Sequence, residues 1–171
     1  MKIAVIGTGY VGLVTGTCFA ETGNDVTCVD IDKAKVKKLS SGQVTIYEPG
    51  LEKIFVRNEK EGRLHFTTSL EEGIKDARII FLALPTPPDG DGNADLQYVL
   101  SVAKELGGLL QKDDYKIIID KSTVPVGTAE RVRTAILDSA LKFSSNGNGK
   151  GLEEAFDVVI SSLSNFAPSS L

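Results

Sequence analysis

Three glycines spaced G-x-G-x-x-G stand where the first apolar run of the chain meets its first helical pattern, in Val5-Ile6-Gly7-Thr8-Gly9-Tyr10-Val11-Gly12. Residues 2 to 6 are short, apolar and β-branched, as a strand buried in a parallel sheet is. Residues 10 to 22 predict a helix with Val11, Val14 and Cys18 on one face. At such a strand-to-helix turn each glycine has a physical task. Gly7 makes the tight turn, Gly9 lets backbone approach a pyrophosphate, and Gly12 lets the helix press against the strand. The helix N-terminus adds free N–H groups and a partial positive charge. The stretch from Gly7 to Gly12, with Thr8, Tyr10 and Val11 in it, is therefore expected to cradle phosphate.

A glycine turn alone is a weak signal, but this one has its second half. Val26-Thr27-Cys28-Val29 reads as a second strand and ends at Asp30, 18 residues beyond Gly12. That is near the spacing of the carboxylate that takes the ribose hydroxyls of a dinucleotide. A carboxylate there repels the extra phosphate of NADP, so NAD is the expected cofactor. The neighbouring Lys33 and Lys35 leave NADP as the lesser alternative, and both lysines read equally well as a solvated helix face.

The pattern continues as alternating strands and helices. Asp32 caps a predicted helix over residues 33 to 40, with Val36 and Leu39 inward and Gly42 as its stop. Pro49 suits a first helical position, with Leu51, Ile54 and Phe55 carrying that helix to about Gly62. Leu64 to Thr67 predict a third strand, Ser69-Leu70-Glu71-Glu72 a capping box, and Arg78 to Leu84 a strongly apolar fourth strand. Residues 85 to 93 are too rich in Pro and Gly for helix or ladder, so they form a loop. Loops at the carboxyl ends of parallel strands line the ligand crevice, which places Thr86 at a ribose or pyrophosphate; the plain alternative is a surface turn. Asp95 caps a helix carrying Leu96, Val99, Ala103, Leu106 and Leu110 inward. A fifth strand over Lys116 to Asp120 leads into Lys121-Ser122-Thr123-Val124-Pro125-Val126-Gly127-Thr128 and a helix from about 128 to 143. Hydroxyls and a lysine there suit a polar substrate or an oriented water, although Ser122 and Thr128 could instead only cap the helix. Residues 144 to 151 read as a connector, Phe156 to Ile160 as a sixth strand, and 161 to 171 as an irregular tail.

The expected fold is thus α/β, a doubly wound and mostly parallel Rossmann sheet of about six strands with helices on both faces, occupying residues 1–160. The 171 residues, 42% hydrophobic, suffice for one such core. A net charge of -4 without a basic run argues against a nucleic-acid or membrane surface. The apolar run before Gly7 is too short for a signal peptide and no stretch approaches a membrane span, so the expectation is cytoplasmic. Cys18 and Cys28 are expected to be buried thiols rather than a disulfide or metal site. His65 has no Cys or second His at ligand spacing, and no metal is predicted.

These blocks resemble the N-terminal domain of the UDP-glucose/GDP-mannose dehydrogenase family over residues 1 to about 160. Gly7 to Leu13 resembles its cofactor turn, Ile46-Tyr47-Glu48-Pro49-Gly50-Leu51 its interdomain-facing loop, Pro85-Thr86-Pro87 its nucleotide loop, and Lys121 to Thr128 its active-site loop. The resemblance implies that Val11, Asp30, Lys35, Thr86 and Thr123 contact NAD. It also implies that Thr123 helps hold a catalytic water, with Lys121 beside it in the catalytic loop. In the family, the sugar C6 alcohol of UDP-glucose is oxidised twice with two NAD, through an aldehyde and a cysteine-bound thioester, to UDP-glucuronate. A thiolate is required because hydride leaves an aldehyde only after a nucleophile has added to it.

Here the chain departs from the pattern. The family's nucleophilic cysteine lies in a downstream glycine-rich motif without counterpart in this sequence, and neither Cys18 nor Cys28 has that context. The family's Asn-Pro-Glu-Phe-Leu block after the sixth strand is replaced by Ser161-Ser162-Leu163-Ser164-Asn165-Phe166. The sequence therefore reads as a truncated or frame-altered chain that binds NAD and does not turn over UDP-glucose alone. A homo-oligomer stays open, because the family's dimer-forming segment has no counterpart. Two other readings compete: a non-catalytic NAD-sensing Rossmann module, and a β-hydroxy-acid dehydrogenase sharing the same turn. The lysine and threonine of the 121–128 loop speak against the first, and the Tyr-Glu-Pro-Gly-Leu and Lys-Ser-Thr-Val-Pro blocks against the second.

Overall fold

β-branched and aromatic apolar runs that would be insoluble on a surface become the centre of one sheet. The computed structural model describes residues 1–90, 92–143 and 152–160; the connector at 144–151 and the tail at 161–171 lie outside them. The strands are β1 Lys2–Ile6, β2 Asp25–Val29, β3 Leu64–Thr67, β4 Ile79–Leu82, β5 Lys116–Asp120 and β6 Phe156–Ile160. They pair in the order β3-β2-β1-β4-β5-β6, and every pairing is parallel. The order reverses direction between β1 and β4, which opens a crevice beyond the carboxyl ends of the strands.

Two layers of helices cover the faces. Helices α1 Tyr10–Glu21, α2 Lys33–Leu39 and α3 Leu51–Lys60 share one core, in which Leu13, Leu39 and Phe55 bury against Val5, Val26 and Cys28. Helices α4 Leu70–Ile74, α5 Gln97–Leu109 and α6 Thr128–Phe143 share the other, with Leu70, Val99, Leu106 and Ile136 against Ile80 and Ile118. Asp32 caps α2 by accepting the N–H groups of Ala34 and Lys35 at 2.9 and 3.0 Å.

Several local expectations need correction. The inward face of α1 is Gly12, Leu13, Gly16, Thr17 and Ala20, whereas Val11 and Cys18 are exposed. Small residues face the sheet because the helix lies so close: a Cβ on Gly16 would stand 2.6 Å from Cys28 Sγ. Only Cys28 is a buried thiol. Pro49 is not the first residue of α3; Gly50, at φ +84°, takes the position before Leu51. Leu96 rather than Asp95 precedes α5, and the Asp95 carboxylate accepts the Gln97 N–H at 2.9 Å from one residue upstream. The capping box of α4 is half made: Ser69 accepts the Glu72 N–H at 3.2 Å, but the Glu72 carboxylate takes the Thr67 hydroxyl, and Thr67 Oγ1 accepts the Ser69 N–H. Within the loop after β4, Pro88 and Ala94 form one isolated antiparallel bridge.

Candidate functional site

The turn between β1 and α1 is held open by its glycines. Gly7 has φ +99°, and a Cβ there would lie 2.4 Å from the carbonyl oxygen of Ala83 at the end of β4. Its N–H donates to Val29 O at 2.7 Å, tying the turn to β2. A Cβ on Gly12 would meet the Gly7 carbonyl oxygen at 1.9 Å, so the third glycine sits beneath the turn and supports it from below. Gly9, by contrast, has nothing within 4 Å of the place its Cβ would occupy. Bare backbone at the head of a 12-residue helix, facing open space, is what an anion needs.

Asp30 closes the other side of this space. Its Oδ2 accepts the Thr8 N–H at 3.0 Å, the Thr8 hydroxyl at 2.5 Å and the Lys35 ammonium at 2.9 Å, while Oδ1 accepts the Asp32 N–H at 3.0 Å. Burial alone would raise its pKa, but the donors from Thr8, Asp32 and Lys35 outweigh it and hold the carboxyl at about 2. The group is thus ionised across the physiological range.

The crevice so bounded has a volume of about 650 Å³. Gly7, Thr8, Gly9, Tyr10 and Val11 line it from the turn, and Asp30 and Lys35 from the end of β2. Thr86, Lys121 and Thr123 line it from the loops after β4 and β5. Gly12 does not reach it. Those two loops are stapled together: the Thr86 hydroxyl donates to Thr123 O at 2.9 Å, and the Leu84 N–H donates to Ser122 Oγ at 3.2 Å. Ser122 is buried and holds β4, so it does not cap α6; Thr128 Oγ1 donates to Pro125 O at 2.8 Å. Asp120 anchors the loop from below by accepting the Ser122 N–H at 2.9 Å, and burial raises its pKa against that bond. Lys121 has no hydrogen bond or ion pair from its ammonium among the described residues.

Residues 1–162 match the UDP-glucose/GDP-mannose dehydrogenase family, NAD binding domain. The chain belongs to this family. The cofactor of this domain is therefore NAD, and the open backbone at Gly9 with the ionised Asp30 across from it fits that group. Over 136 residues, 80% of the chain, it is 53% identical to the UDP-glucose 6-dehydrogenase of Pseudomonas aeruginosa, of which that match covers 30%. It is 50% identical over 135 residues to UDP-glucose 6-dehydrogenase TuaD of Bacillus subtilis, covering 79% of the chain and 29% of TuaD. The chain thus spans about 30% of the length of the curated relatives it matches. Among solved structures, a ternary complex of GDP-mannose dehydrogenase from Pseudomonas aeruginosa superimposes with TM-score 0.82 at 31% identity, over 92% of this chain and 35% of that one. A UDP-glucose dehydrogenase from Pyrobaculum islandicum gives TM-score 0.77 at 33% identity, over 93% and 34%.

Part of the crevice was not legible in the sequence. Tyr98, Ser101, Val102 and Glu105 of α5 line it, as do Ile31 and Leu70. The α5 residues recur at three and four positions, a second stripe beside the buried Val99, Ala103 and Leu106. That spacing was the available signal. His65 lies elsewhere, on β3 with its Nε2 3.2 Å from Asp25 Oδ1, and among the described residues no helix is long and apolar enough to cross a membrane.

Proposed function

We infer that residues 1–160 serve as the NAD-binding domain of a UDP-glucose 6-dehydrogenase, which oxidises UDP-glucose to UDP-glucuronate with two NAD. The observation carrying this reading is the gathering, in one crevice, of the bare turn at Gly9, the ionised Asp30 and Lys121, whose ammonium has no partner among the described residues. The choice of UDP-glucose is supported by identities of 53% and 50% to relatives named for that substrate.

Each residue has a task in that reaction. Main-chain N–H groups around Gly9 receive the pyrophosphate, and Asp30 accepts the hydroxyls of the adenosine ribose, aided by Lys35. Thr86 and Thr123, joined by their hydrogen bond, flank the nicotinamide half. Bound NAD supplies the hydride acceptor. Lys121, a cation with no partner among the described residues to neutralise it, stabilises negative charge developing on the substrate oxygen, and the Thr123 hydroxyl orients a water. A sensing module would have no use for such a cation at this place.

The thiolate for the second oxidation does not come from these residues. Burial pushes the Cys28 thiol up to about 12, and neither Cys28 nor Cys18 lines the crevice. The sugar-binding and thiol-bearing parts of the reaction therefore lie outside residues 1–160, and the chain alone binds NAD without oxidising UDP-glucose. Purified chain is expected to bind NAD more tightly than NADP by calorimetry and to form no NADH with UDP-glucose. A chimera carrying residues 1–160 in place of the corresponding domain of the Pseudomonas aeruginosa enzyme is expected to oxidise UDP-glucose. A chimera that binds NAD and leaves UDP-glucose untouched would overturn the substrate assignment, and NADH formed by the chain alone would overturn its dependence on other parts.

A further inference from the structure

We propose that Glu105 selects the base of the dinucleotide, accepting a hydrogen bond from the exocyclic amine of adenine in a slot between α5 and the end of β2. The proposal rests on the NAD reading of the crevice and assigns its far end. If Asp30 takes the adenosine ribose, the base must lie on the β2 side, away from Lys121 and Thr123. The crevice lining outside the glycine turn and the loops after β4 and β5 includes Ile31, directly after Asp30, Leu70 at the head of α4, and Tyr98, Ser101, Val102 and Glu105 of α5, and the proposal assigns these residues to that side. Leu70 shares a buried core with Val99, Ala103 and Leu106, which puts α4 and α5 on the same face of the sheet, and the second stripe of α5 lines the crevice.

A purine asks for apolar surface on its two faces and a polar group at its edge. The apolar surface is present and unused by the fold. Ile31 is 90% exposed and Tyr98 46% exposed, and both line the crevice that Asp30 lines. Single exposed apolar side chains are ordinary, but two lining one crevice with an ionised acid mark a ligand face. At the edge stand Ser101 and Glu105. Glu105 has no hydrogen bond or ion pair among the described residues, and an ionised carboxylate can only accept. It therefore matches the amine at position 6 of adenine and opposes the carbonyl oxygen that hypoxanthine or guanine carries there. A glutamate that merely solvates α5 would make no such distinction.

Titrations of the chain with NAD and with nicotinamide hypoxanthine dinucleotide decide the matter, using wild type, Glu105→Gln and Glu105→Ala. Wild type is expected to prefer NAD by about tenfold, the size of one charge-assisted hydrogen bond. In Glu105→Gln the amide can turn its N–H to the hypoxanthine carbonyl, so the preference falls to about twofold or less. Glu105→Ala is expected to weaken NAD about tenfold while leaving the hypoxanthine dinucleotide nearly unchanged. A general loosening of α5 would weaken both dinucleotides equally. Wild-type selectivity retained in both variants, an equal loss for both dinucleotides, or no preference in wild type would each overturn the proposal with NAD binding intact. Failure of wild type to bind either dinucleotide would overturn the cofactor site itself and the proposal with it.

Discussion

Two glycines three residues apart make opposite demands on an added methyl group. At Gly12 the methyl would stand 1.9 Å from a backbone carbonyl oxygen, which cannot rotate away. The helical gain of about 1 kcal/mol for replacing Gly by Ala is then outweighed by overpacking of about 1–3 kcal/mol or more. Gly12→Ala is expected to lower the denaturation midpoint and NAD affinity together. At Gly9 the methyl meets nothing, so Gly9→Ala is expected to keep its stability to within about 1 kcal/mol. Its NAD affinity should fall about tenfold or more, because the methyl occupies the space the phosphates need. Calorimetry beside urea denaturation separates the two; a Gly9→Ala protein that binds NAD normally would contradict the cradle. Asp30 gives a prediction in pH. Its carboxyl is held at about 2 in the folded chain, below the unfolded value of about 3.9. The lowered value means that the native state keeps the charged form, so the stabilisation is complete above about pH 4 and disappears as pH falls toward about 2. Asp30→Asn is expected to show a flatter loss of urea resistance through that window than wild type. Equal slopes would show that the bonds from Thr8 and Lys35 contribute nothing to folding.

Helix packing sets the next scale, and glycine decides it again. In α5, a Cβ on Gly107 would approach Ile136 O to 2.2 Å and Ser139 Cβ to 2.8 Å. Helices α5 and α6 therefore meet backbone to backbone along this seam. Gly107→Ala, which on a free helix would stabilise by about 1 kcal/mol, is expected to destabilise by about 1–3 kcal/mol in thermal or urea unfolding. A neutral or stabilising outcome would mean that the seam can open at no cost. The same feature explains what periodicity could and could not reveal. Residues Leu96, Val99, Ala103, Leu106 and Leu110 are large or medium apolar groups at helical spacing, and all five are buried as that spacing predicts. In α1 the inward face joins Leu13 and Ala20 to Gly12, Gly16 and Thr17, three residues that carry little or no apolar signal, so Val11 and Cys18 drew the inward assignment and proved exposed. Hydrophobic period reports where bulk is buried. It is blind where closeness of backbone, rather than bulk, makes the interface.

Over the whole molecule, the six strands were legible because a parallel sheet covered on both faces demands near-continuous apolar runs, and Ile3 to Ile6 and Ile79 to Leu82 are such runs. The neighbouring of β1 and β2 was legible through the glycine turn and the acid at Asp30, which occur together where two parallel strands are joined by a helix, whereas the places of the other four strands came only from the structure. The crevice was half legible. Its loops announced themselves by Pro, Gly and hydroxyl residues, but its α5 wall is assembled from a mixed stripe of Tyr, Ser, Val and Glu that chain order alone does not bring to Asp30. Ser122 was read as a hydroxyl for substrate or water, with capping of the next helix as the alternative; the strand beside it claimed it instead, through the Leu84 N–H. One arrangement in this site reaches beyond recognition. Thr8 spends both its amide hydrogen and its hydroxyl on the same oxygen of Asp30. The side chain proposed to read the ribose is thereby also the brace of the glycine turn, so exchanging that acid alone to alter cofactor preference is expected to unfasten the turn proposed to hold the pyrophosphate. Re-engineering toward NADP would have to begin with a new partner for Thr8.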